Sequence, residues 1–150
     1  MRLAIGSDEK THLTDEVLRL LHEAGHTLAL FGPLAGNRQT WPQVAQSVAE
    51  AVINGAAEEG ILFCWTGTGV CIAANKIPGI RAALCDDAET ARGARLWNNA
   101  NILCLSLRRI SESIAGEILA SWFETKYQSN PEDDACLTQI AHLESKYKSS

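Results

Sequence analysis

Short apolar runs alternate along the chain with segments whose apolar positions recur at helical spacing. Residues 2–6, 27–31, 60–64, 80–85 and 102–107 read as five strands. After the first, Leu13, Val17, Leu20, Leu21 and Ala24 line one helical face, and Gly25 suits the C-cap. His22 and His26 stand four apart, but Gly25 lies between them, so they need not share a face. Val44, Ala45, Val48 and Val52 define a second helix, with Pro42 at its first position and Asn54-Gly55 at its end. A short helix is expected over 70–76 and another over 87–96. Ser111 caps a helix with Ile114, Ala115, Ile118, Leu119, Trp122 and Phe123 on one face, Trp122 and Phe123 reading as core. Asn130-Pro131-Glu132-Asp133 opens a last helix carrying Leu137, Ile140, Leu143 and Tyr147.

Apolar strands alternating with helices predict an α/β fold with a five-stranded parallel sheet between helical layers. The last helix follows the final strand and is spare for the sheet, so it is expected to pack on a partner subunit. The 150 residues fit one domain, 1–150. No apolar run approaches a membrane span, and the N-terminus meets Asp8 and Glu9 too early for a signal peptide, which places the protein in the cytoplasm. A net charge of −5 with scattered basic residues argues against nucleic acid and acidic membranes as partners. Five cysteines with no C-x-x-C, and four histidines with no ligand pair, give no metal signature. Cys71, Cys85 and Cys104 read as small packing residues.

In parallel sheets, ligands bind beyond the C-terminal strand ends. The turn after the third strand, Cys64-Trp65-Thr66-Gly67-Thr68-Gly69, is the most informative of these. Glycines and hydroxyl residues opening a helix present N–H groups to an anion, either a phosphate or an enediolate. It is not a Walker A loop, because no Lys follows Gly69. It completes only part of a dinucleotide fingerprint, with Asp86 as a loose stand-in for the ribose-binding acid. Val70 stands where a cysteine phosphatase loop needs Arg. Cys64 ends a strand and faces a helix N-terminus, a field that favours thiolate, so it is a candidate base or nucleophile. Trp41 reads either as a wall of the pocket or as a staple for the second helix.

Phe63-Cys64-Trp65-Thr66-Gly67-Thr68-Gly69, with Ile72-Ala73-Ala74-Asn75-Lys76 and Gly79-Ile80-Arg81-Ala82, resembles the ribose-5-phosphate isomerase B / galactose-6-phosphate isomerase family. Ile5-Gly6-Ser7-Asp8, Trp41-Pro42, Asn98 with Asn101, and Arg108 extend the match over about residues 2–125. The resemblance implies a three-layer α/β/α sandwich with a Rossmann-like sheet. It also implies a homodimer or tetramer with sites at the subunit interface, and cofactor-free and metal-free aldose–ketose isomerisation through an enediolate. Cys64 would then be the base, Thr66 and the N–H groups of Gly67, Thr68 and Gly69 the enediolate cradle, Asp8 and Asn98 sugar ligands, and Arg108 a phosphate ligand. Two family histidines are replaced: Glu9 stands at a phosphate contact and Trp97 at the ring-opening position. Indole has no basic nitrogen to shuttle that proton. No Lys or Arg occurs between Lys126 and Lys146, where the family brings further arginines. Two readings follow: an isomerase of an acyclic or differently anchored sugar or sugar phosphate, or a non-catalytic homologue that binds a sugar or anion.

Overall fold

The computed structural model describes residues 1–148. Its strands are β1 (Arg2–Ser7), β2 (Thr27–Phe31), β3 (Glu59–Cys64), β4 (Ala82–Leu84) and β5 (Ile102–Ser106). Its helices are α1 (His12–Glu23), α2 (Trp41–Ile53), α3 (Thr68–Ala74), α4 (Ala88–Asn98), α5 (Glu112–Glu124) and α6 (Pro131–Lys146). The strands form one parallel sheet in the order β2-β1-β3-β5-β4.

Alternation along the strands divides the core into two layers. Leu3, Ile5, Ile61, Phe63, Leu103 and Leu105 face α1, α4 and α5, with Val17, Ile118 and Trp122 packed against them. Ala4, Leu62, Cys64, Ile102 and Cys104 face α2 and α3, meeting Val44, Val48 and Val70. The result is the expected α/β/α sandwich. Trp122 is fully buried. Phe123 sits at the margin instead, its ring 4.7 Å from that of His26.

The chain's own punctuation sets the helix boundaries. Thr11 caps α1 through a reciprocal pair with Thr14, and Asp87, Ser111 and Asn130 cap α4, α5 and α6 through their side chains. Trp41, rather than Pro42, is the first residue of α2. Gly32–Ala35, expected as loop, forms a 3-10 turn. Helix α3 begins at Thr68, two residues earlier than the apolar pattern indicates.

Two departures from the expected strands have a local cause. β4 is cut to Ala82–Leu84 because its first residues bond elsewhere. The Arg81 N–H donates to Asn101 Oδ1 at 2.8 Å, and the Asn75 side chain holds Ala82 at both N–H and C=O, at 2.8 and 2.9 Å. β3 begins one residue early, on a buried carboxylate. Glu59 is tolerated there because Arg95 reaches it at 3.0 Å.

Helix α6 has no buried residue. Its Ile140 and Leu143, and Tyr147 at its C-cap, are exposed. No helix among the described residues is long and apolar enough to cross a membrane.

Candidate active site

The chain leaves β1 for β2 on one side and returns to β3 on the other. The C-terminal ends of β1 and β3 therefore open a crevice at a topological switch point. Asp8 lies just beyond β1, and Cys64 is the last residue of β3. A cleft of about 300 Å³ lies here, lined by Asp8, Trp41, Cys64, Trp65, Thr66, Thr68 and Gly69.

Each wall has a local cause. Cys64 is buried on the α2–α3 side of the sheet, and its carbonyl accepts from the Leu107 N–H at 3.0 Å. Gly67 turns the chain from β3 into α3 at φ 76°, a left-handed conformation costly to other residues. A side chain there would also meet Leu84 at 2.6 Å and the β5 backbone at 3.0 Å. Gly67 is thus buried under the turn and does not itself line the cleft. Thr66 and Thr68 share a hydrogen bond of 2.7 Å between hydroxyls. The first N–H groups of α3 lack intrahelical acceptors, as at any helix start. Trp41 settles as a cleft wall, with its ring 3.0 Å from where a Cβ on Gly69 would stand. Glycine at 69 is what lets the indole lie so close.

Asp8 Oδ1 is buried without a hydrogen-bond partner. Burial, and secondarily the charge of Glu9, raise the Asp8 carboxyl above its ordinary range. A buried acceptor left open is a ready partner for a ligand hydroxyl. Glu9 itself is exposed and outside the cleft lining. The neighbouring Lys10 pairs with Asp15 at 2.6 Å. Arg108 lies beside the cleft, its guanidinium 5.9 Å over the Trp65 ring. Asp86, the stand-in for a ribose-binding acid, lies 3.4 Å from Arg109. Among the described residues, no group of three or more His, Cys, Asp or Glu is placed to hold a metal ion.

Trp97 and Asn98 are not in this cleft. They end α4, which runs back to the start of β5, whereas Cys64 pairs with Ser106 at the far end of β5. One strand length, roughly 15 Å, separates the two places. Trp97, 54% exposed, instead helps line a larger cavity of about 600 Å³ with Asn98, Arg81, Leu137, Ile140 and Leu143, between β4 and α6.

Cys71 packs against the α2–α3 layer, as expected, but is only half-buried. It is held down to about 7, chiefly by a hydrogen bond from the Cys104 thiol, with Asn75 Nδ2 at 3.6 Å. Burial pushes Cys85 and Cys104 up. Thiolate is the reactive form. Near neutral pH, iodoacetamide is therefore expected to label Cys71 ahead of Cys85 and Cys104, as read by peptide mass mapping. Equal labelling of the three would contradict this.

The comparisons with known proteins converge. The family profile described as "Ribose/Galactose Isomerase" matches residues 3–140. The chain is 36% identical over 130 residues to the D-erythrulose-4-phosphate isomerase of Pectobacterium atrosepticum, covering 85% of this chain and 86% of that protein. It is 34% identical over 128 residues to the ribose-5-phosphate isomerase B of Escherichia coli, covering 85% and 86%. The solved ribose-5-phosphate isomerase B of Clostridium thermocellum superposes with a TM-score of 0.92 at 36% identity, covering 99% of this chain and 100% of that one. This chain, with its Cys64 cleft at the switch point of a five-stranded parallel sheet, belongs to the ribose/galactose isomerase family.

Proposed function

We propose that the protein isomerises a short acyclic sugar phosphate between ketose and aldose through an enediolate. The observation that carries this reading is a buried thiol, a hydroxyl and an open carboxylate oxygen meeting in one cleft: Cys64, Thr66 and Asp8. The Cys64 thiolate removes a proton from the carbon beside the substrate carbonyl. The electron pair forms the C1–C2 double bond, and charge develops on the carbonyl oxygen. The Thr66 hydroxyl and the N–H groups around Gly67, Thr68 and Gly69 stabilise that oxygen. A proton passes from O1 to O2, and the thiol, exchanging in part with solvent, delivers a proton to the neighbouring carbon. Asp8 accepts a substrate hydroxyl, and Arg108 takes the phosphate.

Trp97 and Asn98 complete the site from a second copy of the chain. In a two-fold dimer, a contact from one end of the first sheet to the other end of the second is made twice. The spare helix α6, with its exposed apolar side chains, supplies surface for such a homodimer.

Trp97 also selects the substrate. Ribose 5-phosphate must open its ring, and indole cannot move that proton. A four-carbon sugar carrying phosphate on O4 has no hydroxyl left to close a five-membered ring. The name of the Pectobacterium relative supports a substrate of that size. Steady-state kinetics on a panel of sugar phosphates tests this. The four-carbon 4-phosphates are expected to exceed ribose 5-phosphate by about tenfold or more in kcat/KM. Preference for ribose 5-phosphate would overturn the acyclic assignment. Binding without turnover of any member would favour a non-catalytic sugar binder.

A further inference from the structure

Trp65 stands between the candidate base, Cys64, and Thr66, yet its side chain is 57% exposed. Such exposure of a large aromatic ring calls for a reason. Its neighbours supply one. Because Cys64 pairs with Ser106, the loops leaving β3 and β5 run side by side. The Arg108 N–H donates to the Trp65 carbonyl at 3.1 Å, and the Ser106 hydroxyl donates to the same carbonyl at 3.0 Å. The two loops are thus fastened at the backbone, and above them the Arg108 guanidinium lies 5.9 Å from the indole centroid.

Arg108 is otherwise uncommitted. Among the described residues it makes no ion pair, whereas its neighbour Arg109 lies 3.4 Å from Asp86. Trp65 lines the cleft, and its indole faces the guanidinium. A free arginine side chain loses rotamer freedom when it binds an anion. One already resting on an aromatic face has less to lose.

We propose that Trp65 is a positioning residue whose indole face holds the Arg108 guanidinium at the cleft mouth for the substrate phosphate. The proposal rests on the sugar-phosphate reading above and adds to it the residue that aims the phosphate ligand. Trp65 acts through Arg108. An indole that merely walled the cleft would act on the sugar instead, whatever residue stood at 108.

The experiment is calorimetric titration with inorganic phosphate, beside steady-state kinetics on the best sugar phosphate. The proteins are the native chain, Trp65→Ala, Trp65→Phe, Arg108→Ala and the double variant Trp65→Ala/Arg108→Ala. Trp65→Ala removes an exposed ring and takes nothing from the core. It is expected to weaken phosphate binding and raise KM by roughly 3- to 10-fold, the range of a partly exposed cation–π contact, with kcat nearly unchanged. Trp65→Phe should recover most of the loss. The double variant should bind phosphate no more weakly than Arg108→Ala alone. Unchanged phosphate affinity in Trp65→Ala, a fall in kcat without a rise in KM, or additive losses in the double variant would each overturn the proposal. Phosphate affinities that follow the expected pattern in a chain that turns over no sugar phosphate would uphold the Trp65–Arg108 role and sink the isomerase reading. Turnover in the native chain with no effect of Trp65→Ala would do the reverse.

Discussion

Replacing Cys64 with Ala is expected to lower kcat/KM by about 10²- to 10⁴-fold, the usual contribution of a positioned acid–base group. The fold should survive, because the change removes one sulfur from a mainly apolar layer of Val44, Leu62 and Val70. The informative control is Cys71→Ala. Cys71 has the thiol held down to about 7, so thiolate character alone would nominate it as the base. It does not line the cleft, however, and its sulfur is engaged with Ala82 O at 3.5 Å and with Asn75. Position therefore decides against chemistry: Cys71→Ala should retain activity within about twofold. Activity lost with Cys71 and kept without Cys64 would reverse the assignment. Both variants can be checked by kinetics beside a thermal melt.

The largest stability effect is expected at the opposite end of the sheet. The Arg95 and Glu59 side chains are 13% and 8% exposed and meet at 3.0 Å. The Arg95 guanidinium also donates to the carbonyls of Ala100 and Thr125 and lies 5.0 Å over the Trp122 ring. It thereby ties β3, α4, the entry to β5 and the end of α5 together. Arg95→Met keeps the volume but leaves a buried carboxylate without its counter-charge. Breaking such a pair costs about 3–5 kcal/mol, or roughly 6–20 °C in Tm for a chain of this size.

The pH dependence gives a second readout. Burial raises the Glu59 carboxyl, and Arg95, followed by the Trp122 indole, opposes that rise. A carboxyl raised in the folded state binds its proton more tightly there than in the unfolded chain. Its contribution is therefore most favourable at acid pH and is lost as pH rises through its titration. Without Arg95 the carboxyl moves further up. The deficit of Arg95→Met should thus grow from acid toward neutral pH, and Glu59→Gln/Arg95→Met should recover part of it. A flat deficit across that range would show that the carbonyl contacts, not the charge pair, carry the effect.

The alternation of apolar and polar positions made the sheet and its layers legible, because each strand needs only its own residues to declare its faces. Cys64 and the turn after it were legible because a parallel sheet fixes where strand ends open. Features that depend on distant partners were not. Glu59 reads as loop until Arg95 is seen beside it. Strand β4 reads as six residues until Asn75 and Asn101 take its first backbone groups. The lowering of the Cys71 thiol shows only once Cys104 is placed beside it. Asn98 carries the family resemblance and Trp97 departs from it, but only the folded chain reveals that both lie a strand length from Cys64.

The central claim is that Cys64 enolises a sugar phosphate. Proton exchange followed by NMR in D2O reads this directly, without a coupling enzyme and whatever the position of equilibrium. With a four-carbon ketose phosphate, the account predicts incorporation of one deuterium at C1 or C2 by the native protein and none by Cys64→Ala. Exchange that persists in Cys64→Ala, or a native protein that gives neither exchange nor product, would contradict it.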